Sequence, residues 1–101
     1  MIDFRDTLRQ ADQRGFRLLV TERPAPLGDP RWDAFVAAVI EDEGQRKGVT
    51  PPRWVAEPAR FVRPEWCVAP YPEFFEHERS TSPTAYLRHG VIAGEESLAS
   101  V

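Results

Sequence analysis

Three side chains of this sequence, Cys67, His77 and His89, belong to the types that most often bind metals or attack substrates. A zinc site needs such residues at spacings such as CxxC or HxxxH, and none of the three has a partner at that distance. Cys67 and His77 could form a nucleophile–base pair, or Cys67 could be a buried, unreactive thiol beside aromatic residues. We predict the unreactive thiol and no bound metal.

The C-terminal half also carries three carboxylates that could act as general acids, Glu73, Glu76 and Glu78. They fall on the outer face of a predicted helix over residues 72–79, whose inner face would carry Phe74 and Phe75. The sequence contains no GxGxxG, Walker or GxSxG motif. We therefore predict a protein that is not an enzyme and needs no cofactor.

A second group of residues is suited to binding. Aromatic residues interleave with arginines, in the order Arg53, Trp54, Arg60, Phe61, Arg63, Trp66, Tyr71, Phe74, Phe75 and Tyr86. Most of these rings are expected to form the core of a small domain that has few aliphatic residues. The alternative is a partner surface, because Trp, Tyr and Arg are enriched in interface hot spots. The acidic residues from Glu65 to Glu78 argue against a platform for stacking RNA bases.

Composition limits the classes of protein to which the chain can belong. A length of 101 residues predicts one domain, and a net charge of −3 argues against general binding of nucleic acid or anionic membranes. No apolar run approaches the roughly 18 residues of a membrane span, and the N-terminus lacks a signal-peptide pattern. A single cysteine fits the reducing cytoplasm. Lys47 is the only lysine among 13 basic residues, which indicates a GC-rich bacterial source.

The element that must position these residues is a long helix over residues 29–48. Asp29 is a good N-cap, Pro30 suits the first helical position, and Gly48 suits the end. One face carries apolar residues at i, i+3, i+4, i+7 and i+8 spacing, namely Trp32, Phe35, Val36, Val39 and Ile40. We predict Trp32 to lie in the core. Gly44 should be a weak point, from which the helix frays.

The N-terminal region is predicted as an arm. Residues 2–14 have the pattern of a modest amphipathic helix that ends at Gly15, and the alternation of residues 16–20 predicts a short extended segment. Residues 24–28 have the composition of a proline-rich linker. We therefore divide the chain into an arm and linker (1–28) and a helical partner-binding domain (29–101), which should fold without the arm.

The remaining chain predicts short helices joined by proline-rich connections. Short helical turns are expected around Trp54 and after Glu57, and a helix over residues 84–89 is expected to have Ser82 as its cap and Gly90 as its stop. A marginal last turn is predicted over residues 95–101. The fold class is therefore all-α, with one long and several short helices and a short extended N-terminal segment.

The segments DPRWDAFVAAVIED, GVTPPRWVAEPARFV, PEWC and STSPTAYLRHGVIAGEESL follow one another in an order that resembles a known family. The chain resembles the small antitoxin partners of AbiEii-type nucleotidyltransferase toxins from GC-rich bacteria, over about residues 29–98. The matching positions are Trp32, Asp33, Trp54, Pro58, Phe61, Trp66, Pro83, Tyr86 and Gly90. Cys67 departs from the pattern, which has an aromatic residue there, and residues 1–28 are too short for the helix-turn-helix that some members carry.

This resemblance implies a protein that binds a cognate toxin directly and neutralises it, by inserting arginines into an acidic nucleotide-binding cleft. The predicted partner-binding residues are Arg5, Arg9, Arg14, Arg17, Arg53, Trp54, Arg60, Arg63, Trp66, Tyr71 and Phe75. Two alternatives stay open: a transcription-associated nucleic-acid-binding module, and a small adaptor subunit of another complex. The sequence does not determine whether the chain associates with itself.

Overall fold

The computed structural model of the chain describes residues 2–25, 28–68, 73 and 75–94. Its helices are α1 (Ile2–Gln10), α2 (Gln13–Val20), α3 (Pro30–Lys47), α4 (Phe75–Thr81) and α5 (Thr84–Arg88). Two 3-10 turns, Arg53–Ala56 and Pro58–Arg60, follow α3, and two short strands are β1 (Trp66–Cys67) and β2 (Val91–Ile92). The described chain is mostly helical, which confirms the all-α fold class with one long and several short helices.

Helix α3 begins and ends where its sequence predicts. The Asp29 carboxylate accepts a hydrogen bond from the Arg31 backbone N–H at 2.9 Å, and Pro30 occupies the first helical position. Gly48 ends the helix in the left-handed conformation, with φ of +72°. The helix continues through Gly44 to Lys47, so the prediction that it frays at Gly44 is wrong.

The core lies around α3, which contacts α1, α2, α5, β2 and both 3-10 turns. Every residue from Ala34 to Gly44 is buried, because these elements cover the helix on all sides. Phe35 and Ile40 lie in this core as predicted. Trp32, near the open start of the helix, is only partly buried and packs against the edge of the core.

The N-terminal region forms two helices, so the predicted end of the first helix at Gly15 and the extended segment at residues 16–20 are both wrong. Asp12 caps α2, because its carboxylate accepts from the Gly15 backbone N–H at 2.7 Å. Phe16 and Val20 point inward at i, i+4 spacing. Together with Leu8 of α1 they belong to the same hydrophobic core as α3.

The region after α3 wraps around its buried face. The 3-10 turn Arg53–Ala56 buries Trp54, whose indole N–H donates to the Val20 carbonyl at 2.9 Å. Strands β1 and β2 form a two-stranded parallel sheet, in which Trp66 pairs with Val91 and Cys67 with Ile92. The sequence did not predict this pairing.

The last helices differ from their predictions at two points. Ser82 is not the cap of α5: its hydroxyl donates to the Glu78 carbonyl at 2.6 Å and accepts from the Ala93 N–H at 2.8 Å. The predicted orientation of the helix over residues 72–79 is wrong at two positions, because Phe75 is 38% exposed and Glu78 is buried, whereas Glu73 and Glu76 are exposed as predicted. Gly90 follows α5 with φ of +83°, as its predicted stop requires. Tyr71, Phe74 and the predicted turn at 95–101 lie outside the described residues. No described helix is long and apolar enough to cross a membrane.

Candidate partner-binding surface

The acidic run at the end of α3 is buried, and it ties the flanking helices to the core. Glu43, whose side chain is 1% exposed, accepts from Arg9 of α1 at 2.8 Å and lies 3.7 Å from the guanidinium of Arg5. Asp42 pairs with Arg46 one turn later, at 3.1 Å. A buried carboxylate is costly unless it is paired, and these arginines supply the pairs.

Glu41, the first residue of this run, joins α3 to α5. It pairs with Arg88, and its Oε1 lies 3.1 Å from Nε2 of the fully buried His89. His89 Nδ1 lies 2.5 Å from the Arg60 carbonyl, so this nitrogen must carry the proton that it donates. Both ring nitrogens are therefore engaged, and the ring of Phe61 stacks on the imidazole at 4.4 Å.

Four of the arginines that we predicted to bind a partner make contacts within the chain. Arg5 and Arg9 face Glu43, and the hydrogen bond that Arg9 donates to Glu43 raises the pKa of Arg9. Arg60 is 4% exposed; it donates to the Asp33 and Pro24 carbonyls and lies over the Trp54 ring at 4.8 Å.

Arg63, the last of these four, donates to the carbonyl of its neighbour Val62 at 2.8 Å. The other three predicted arginines, Arg14, Arg17 and Arg53, are exposed, and none has an ion pair with a residue that the structure describes.

The predicted aromatic residues occupy three different environments. Trp54 is in the core, and Phe75 is at the surface. Trp66 is partly buried against Trp32, with ring centroids 5.2 Å apart, and the Arg31 guanidinium lies 5.5 Å from its centroid. The structure therefore does not gather the predicted residues into one surface.

Two residues that the sequence did not single out complete a different surface. Leu18 is 73% exposed and Leu19 is 52% exposed, and both lie on α2, as do Arg14 and Arg17. Leu18 follows Arg14 by one helical turn, on the side opposite the buried Phe16 and Val20. We call Arg14, Arg17, Leu18 and Leu19 the α2 outer face.

The extended segment predicted over residues 16–20 does not reveal these leucines, because strand alternation places Leu18 on the same side as Phe16 and Val20. The signal that could have found them is the i, i+4 pair of Phe16 and Val20, which already satisfies the buried stripe of a helix. Leu18 and Leu19 fall outside that stripe and are therefore apolar residues without a place in the core.

Among the described residues, no group of three or more His, Cys, Asp or Glu side chains is arranged to hold a metal ion. Cys67 is partly buried in β1. Tyr86 is fully buried, and burial raises the pKa of its hydroxyl, which has no hydrogen-bond partner within the described part of the chain.

Comparison with protein-family models, curated proteins and solved structures finds no match to this chain. The α2 outer face combines exposed apolar side chains with exposed arginines, as a protein-binding surface does.

Proposed function

We propose that this chain is an antitoxin-like protein that binds a partner protein through the α2 outer face and has no catalytic activity of its own. The observation that carries the proposal is the exposure of Leu18 and Leu19 beside two arginines that have no ion pair within the described residues. The partner surface that complements this face is apolar at its centre and acidic at its edge.

The two leucines provide the affinity in this proposal. Burying a leucine side chain contributes about 1.5–3 kcal/mol, so the pair would make a substantial contribution to a small interface. The arginines provide orientation, because a guanidinium pairs with carboxylates in a fixed geometry. Arg14 and Arg17 keep this capacity, whereas Arg5 and Arg9 already pair with Glu43.

The charges on this face favour a different protein over a second copy of the chain. In a two-fold symmetric dimer, the same patch would meet itself, so both copies of Arg14 and of Arg17 would lie in one small interface. Like charges across an interface oppose association. An acidic, nucleotide-binding cleft has the complementary charge, which supports the class of toxin that the family resemblance implies. Neutralisation would then consist of covering that cleft, in the cytoplasm.

The proposal is tested by co-expressing the chain with the product of the adjacent gene and measuring cell growth and the affinity of the purified pair. We expect co-elution, and growth only when both proteins are present. Leu18→Asp should weaken binding at least tenfold, because it places a charge at the apolar centre of the interface. Phe75→Asp is the matched control, since Phe75 is also exposed but lies on α4.

A charge-reversal pair separates the contribution of the arginines. Arg14→Glu should weaken the complex, whereas Arg53→Glu, which also changes an exposed arginine without an ion pair in the described structure, should not. The proposal would be contradicted if the chain elutes alone and the product of the adjacent gene does not impair cell growth. If Leu18→Asp and Phe75→Asp lower the affinity for the partner equally, the α2 outer face is not the binding surface. Salt-sensitive binding of DNA would favour the nucleic-acid alternative.

A further inference from the structure

A surface cavity of about 490 Å³ lies where the chain leaving α2 meets the second 3-10 turn and the first turns of α3. It is lined by Arg23, Pro24, Asp33, Glu57, Pro58, Ala59 and Arg60. Its volume falls within the range of about 300–1,000 Å³ that is typical of small-ligand sites. Nothing in the proposed docking on the α2 outer face uses this cavity.

The cavity contains two ion pairs of different character. Arg23 and Glu57 form an exposed pair, with a closest distance of 2.9 Å and side chains that are 61% and 40% exposed. Arg60 and Asp33 form a buried and looser pair, with 4.0 Å between Nη1 and Oδ1. Each pair has no net formal charge, so the charge of the cavity does not indicate its ligand. The hydrogen-bonding capacity of the lining side chains does.

The arginines provide more donors than these contacts use. A guanidinium carries five N–H donors, and Arg23 bonds to both Glu57 oxygens through Nη1 alone. Arg60 donates to two backbone carbonyls at 3.3 and 3.4 Å, beyond the usual range of about 2.7–3.2 Å. The cavity can therefore offer N–H groups from two guanidinium groups to a ligand with acceptor oxygens.

Arg60 is held in place before any ligand arrives. It is nearly fully buried, and its guanidinium lies over the ring of Trp54. Its backbone carbonyl accepts from the buried His89 at 2.5 Å. A cation that is already ordered loses little conformational freedom on binding. The Arg23–Glu57 pair is exposed, and such pairs contribute little to stability, so Glu57 can turn outward at small cost.

We propose that this cavity is a carboxylate-binding pocket, and that it takes the side chain of an acidic residue of the partner. The carboxylate would bond to Arg60 and to Arg23, replacing Glu57. Arg23 lies shortly after the end of α2 at Val20. The pocket therefore lies close along the chain to the helix that carries the α2 outer face, and the source of its ligand rests on the proposed function.

A basic side chain fits the pocket less well. Both oxygens of Glu57 already accept from Arg23, and a cation would have to displace that guanidinium. It would also approach Arg60, which is buried and cannot turn away. The positive charge of the ligand and that of the Arg60 guanidinium would repel each other.

The pocket can be tested with probes of matched length and opposite charge. Propionate reproduces a glutamate side chain, and propylammonium has the same chain length with a positive charge. We titrate each at constant ionic strength into the full ¹⁵N-labelled chain and follow the backbone amide signals of Arg23, Ala59 and Arg60 by NMR. Propionate should shift these signals saturably, with a Kd on the order of 10 mM, and propylammonium should not.

Two substitutions then locate the binding. Arg23→Gln should weaken propionate binding at least fivefold, and Arg53→Gln, an exposed arginine outside the pocket, should leave it unchanged. Arg60→Lys should also weaken it, and Arg23→Gln keeps the test decisive if Arg60→Lys unfolds. No saturable shift, saturation by propylammonium, or an equal effect of Arg53→Gln would each overturn the proposal.

The propionate titration needs no partner, so its result is independent of whether the α2 outer face binds one. If a partner binds through Leu18 but Arg23→Gln leaves its affinity unchanged, the anchoring role is wrong while the proposed function holds. If propionate binds and no partner does, the pocket is a site for free carboxylates, and the partner's side chain is excluded as its ligand.

Discussion

His89 shows how one side chain joins three parts of this chain. Its two nitrogens contact Glu41 of α3 and the Arg60 carbonyl in the second 3-10 turn, and Phe61 stacks on its ring. His89 itself follows directly after α5. These contacts also hold one wall of the proposed carboxylate pocket in place. The backbone carbonyl of Arg60 accepts a hydrogen bond from His89, and the guanidinium of the same residue lines the pocket.

We expect His89→Ala to lower the free energy of unfolding by about 3 kcal/mol. The substitution leaves the Arg60 carbonyl and one oxygen of the buried Glu41 without their partner, and removal of one member of a buried pair is strongly destabilising. Because Arg88 still pairs with Glu41, the loss should lie at the lower end of the range for such changes. Urea unfolding followed by circular dichroism measures it.

His77→Ala is the matched control for this prediction. His77 is exposed on α4, and surface substitutions usually change stability by less than about 0.5 kcal/mol. If the two histidine variants lose equal stability, the contacts of His89 do not stabilise the fold as described.

The role of His89 could not be predicted from the sequence. Its partner Glu41 is 48 residues away along the chain, and no local pattern connects them. Leu18 could have been found, because the spacing of Phe16 and Val20 is a local signal. The environment of Leu18 depends on residues close to it in the sequence, whereas the environment of His89 depends on a residue far along the chain.

At the level of elements, the same distinction separates α3 from α2. The signals that define α3 are local: a capping aspartate, a proline at the first position and a glycine at the stop. Residues 16–20 fit either an alternating strand or a helical stripe, and packing against α3 decides between them. Phe16 of α2 packs closely on Gly44 of α3, since a Cβ at Gly44 would lie 3.4 Å from the Phe16 ring.

Gly44→Ala tests the packing around Gly44. The sequence predicts that this substitution stabilises the chain, and the structure predicts that it destabilises it. Helix propensity alone predicts a gain of about 1 kcal/mol. In the structure, the new Cβ would lie 2.9 Å from the Val49 carbonyl oxygen, which belongs to the backbone and cannot turn aside. We therefore expect Gly44→Ala to lower the thermal midpoint, by an amount equivalent to about 1–3 kcal/mol.

Gly15→Ala provides the comparison within α2. A Cβ at that position would meet the Asp12 side chain at 3.2 Å, and a side chain can move where a carbonyl cannot. We expect Gly15→Ala to be clearly less destabilising than Gly44→Ala. A Gly44→Ala variant that is more stable than the native chain would contradict the close approach of the Val49 carbonyl oxygen to Gly44.

At the scale of the whole molecule, charge and packing both connect the N-terminal helices to the rest. The buried Glu43 finds its cations in Arg5 and Arg9 of α1. The side chains of Leu8, Phe16 and Val20 complete the hydrophobic core around α3. The division of the chain at residue 28 was predicted from composition, because proline-rich segments commonly separate domains, but composition does not report which side chains meet in the core.

Deletion of residues 1–23 should therefore unfold the chain. The deletion removes three buried apolar side chains, each contributing about 1.5–3 kcal/mol, and the total approaches the 5–15 kcal/mol by which small domains are usually stable. It also leaves Glu43 without its cations and the Trp54 indole N–H without the Val20 carbonyl. We expect a truncated chain with little helical circular dichroism and no cooperative thermal transition.

A double variant, Leu18→Ser with Leu19→Ser, controls for the loss of the α2 outer face alone. These side chains are exposed, so the double variant should keep the thermal midpoint of the native chain while it loses the partner. A truncated chain that still unfolds cooperatively would show that the N-terminal helices are dispensable for the core. If the prediction holds, deletion cannot separate binding from folding in this protein, because the helix that we propose as the binding surface also supplies Phe16 to the core.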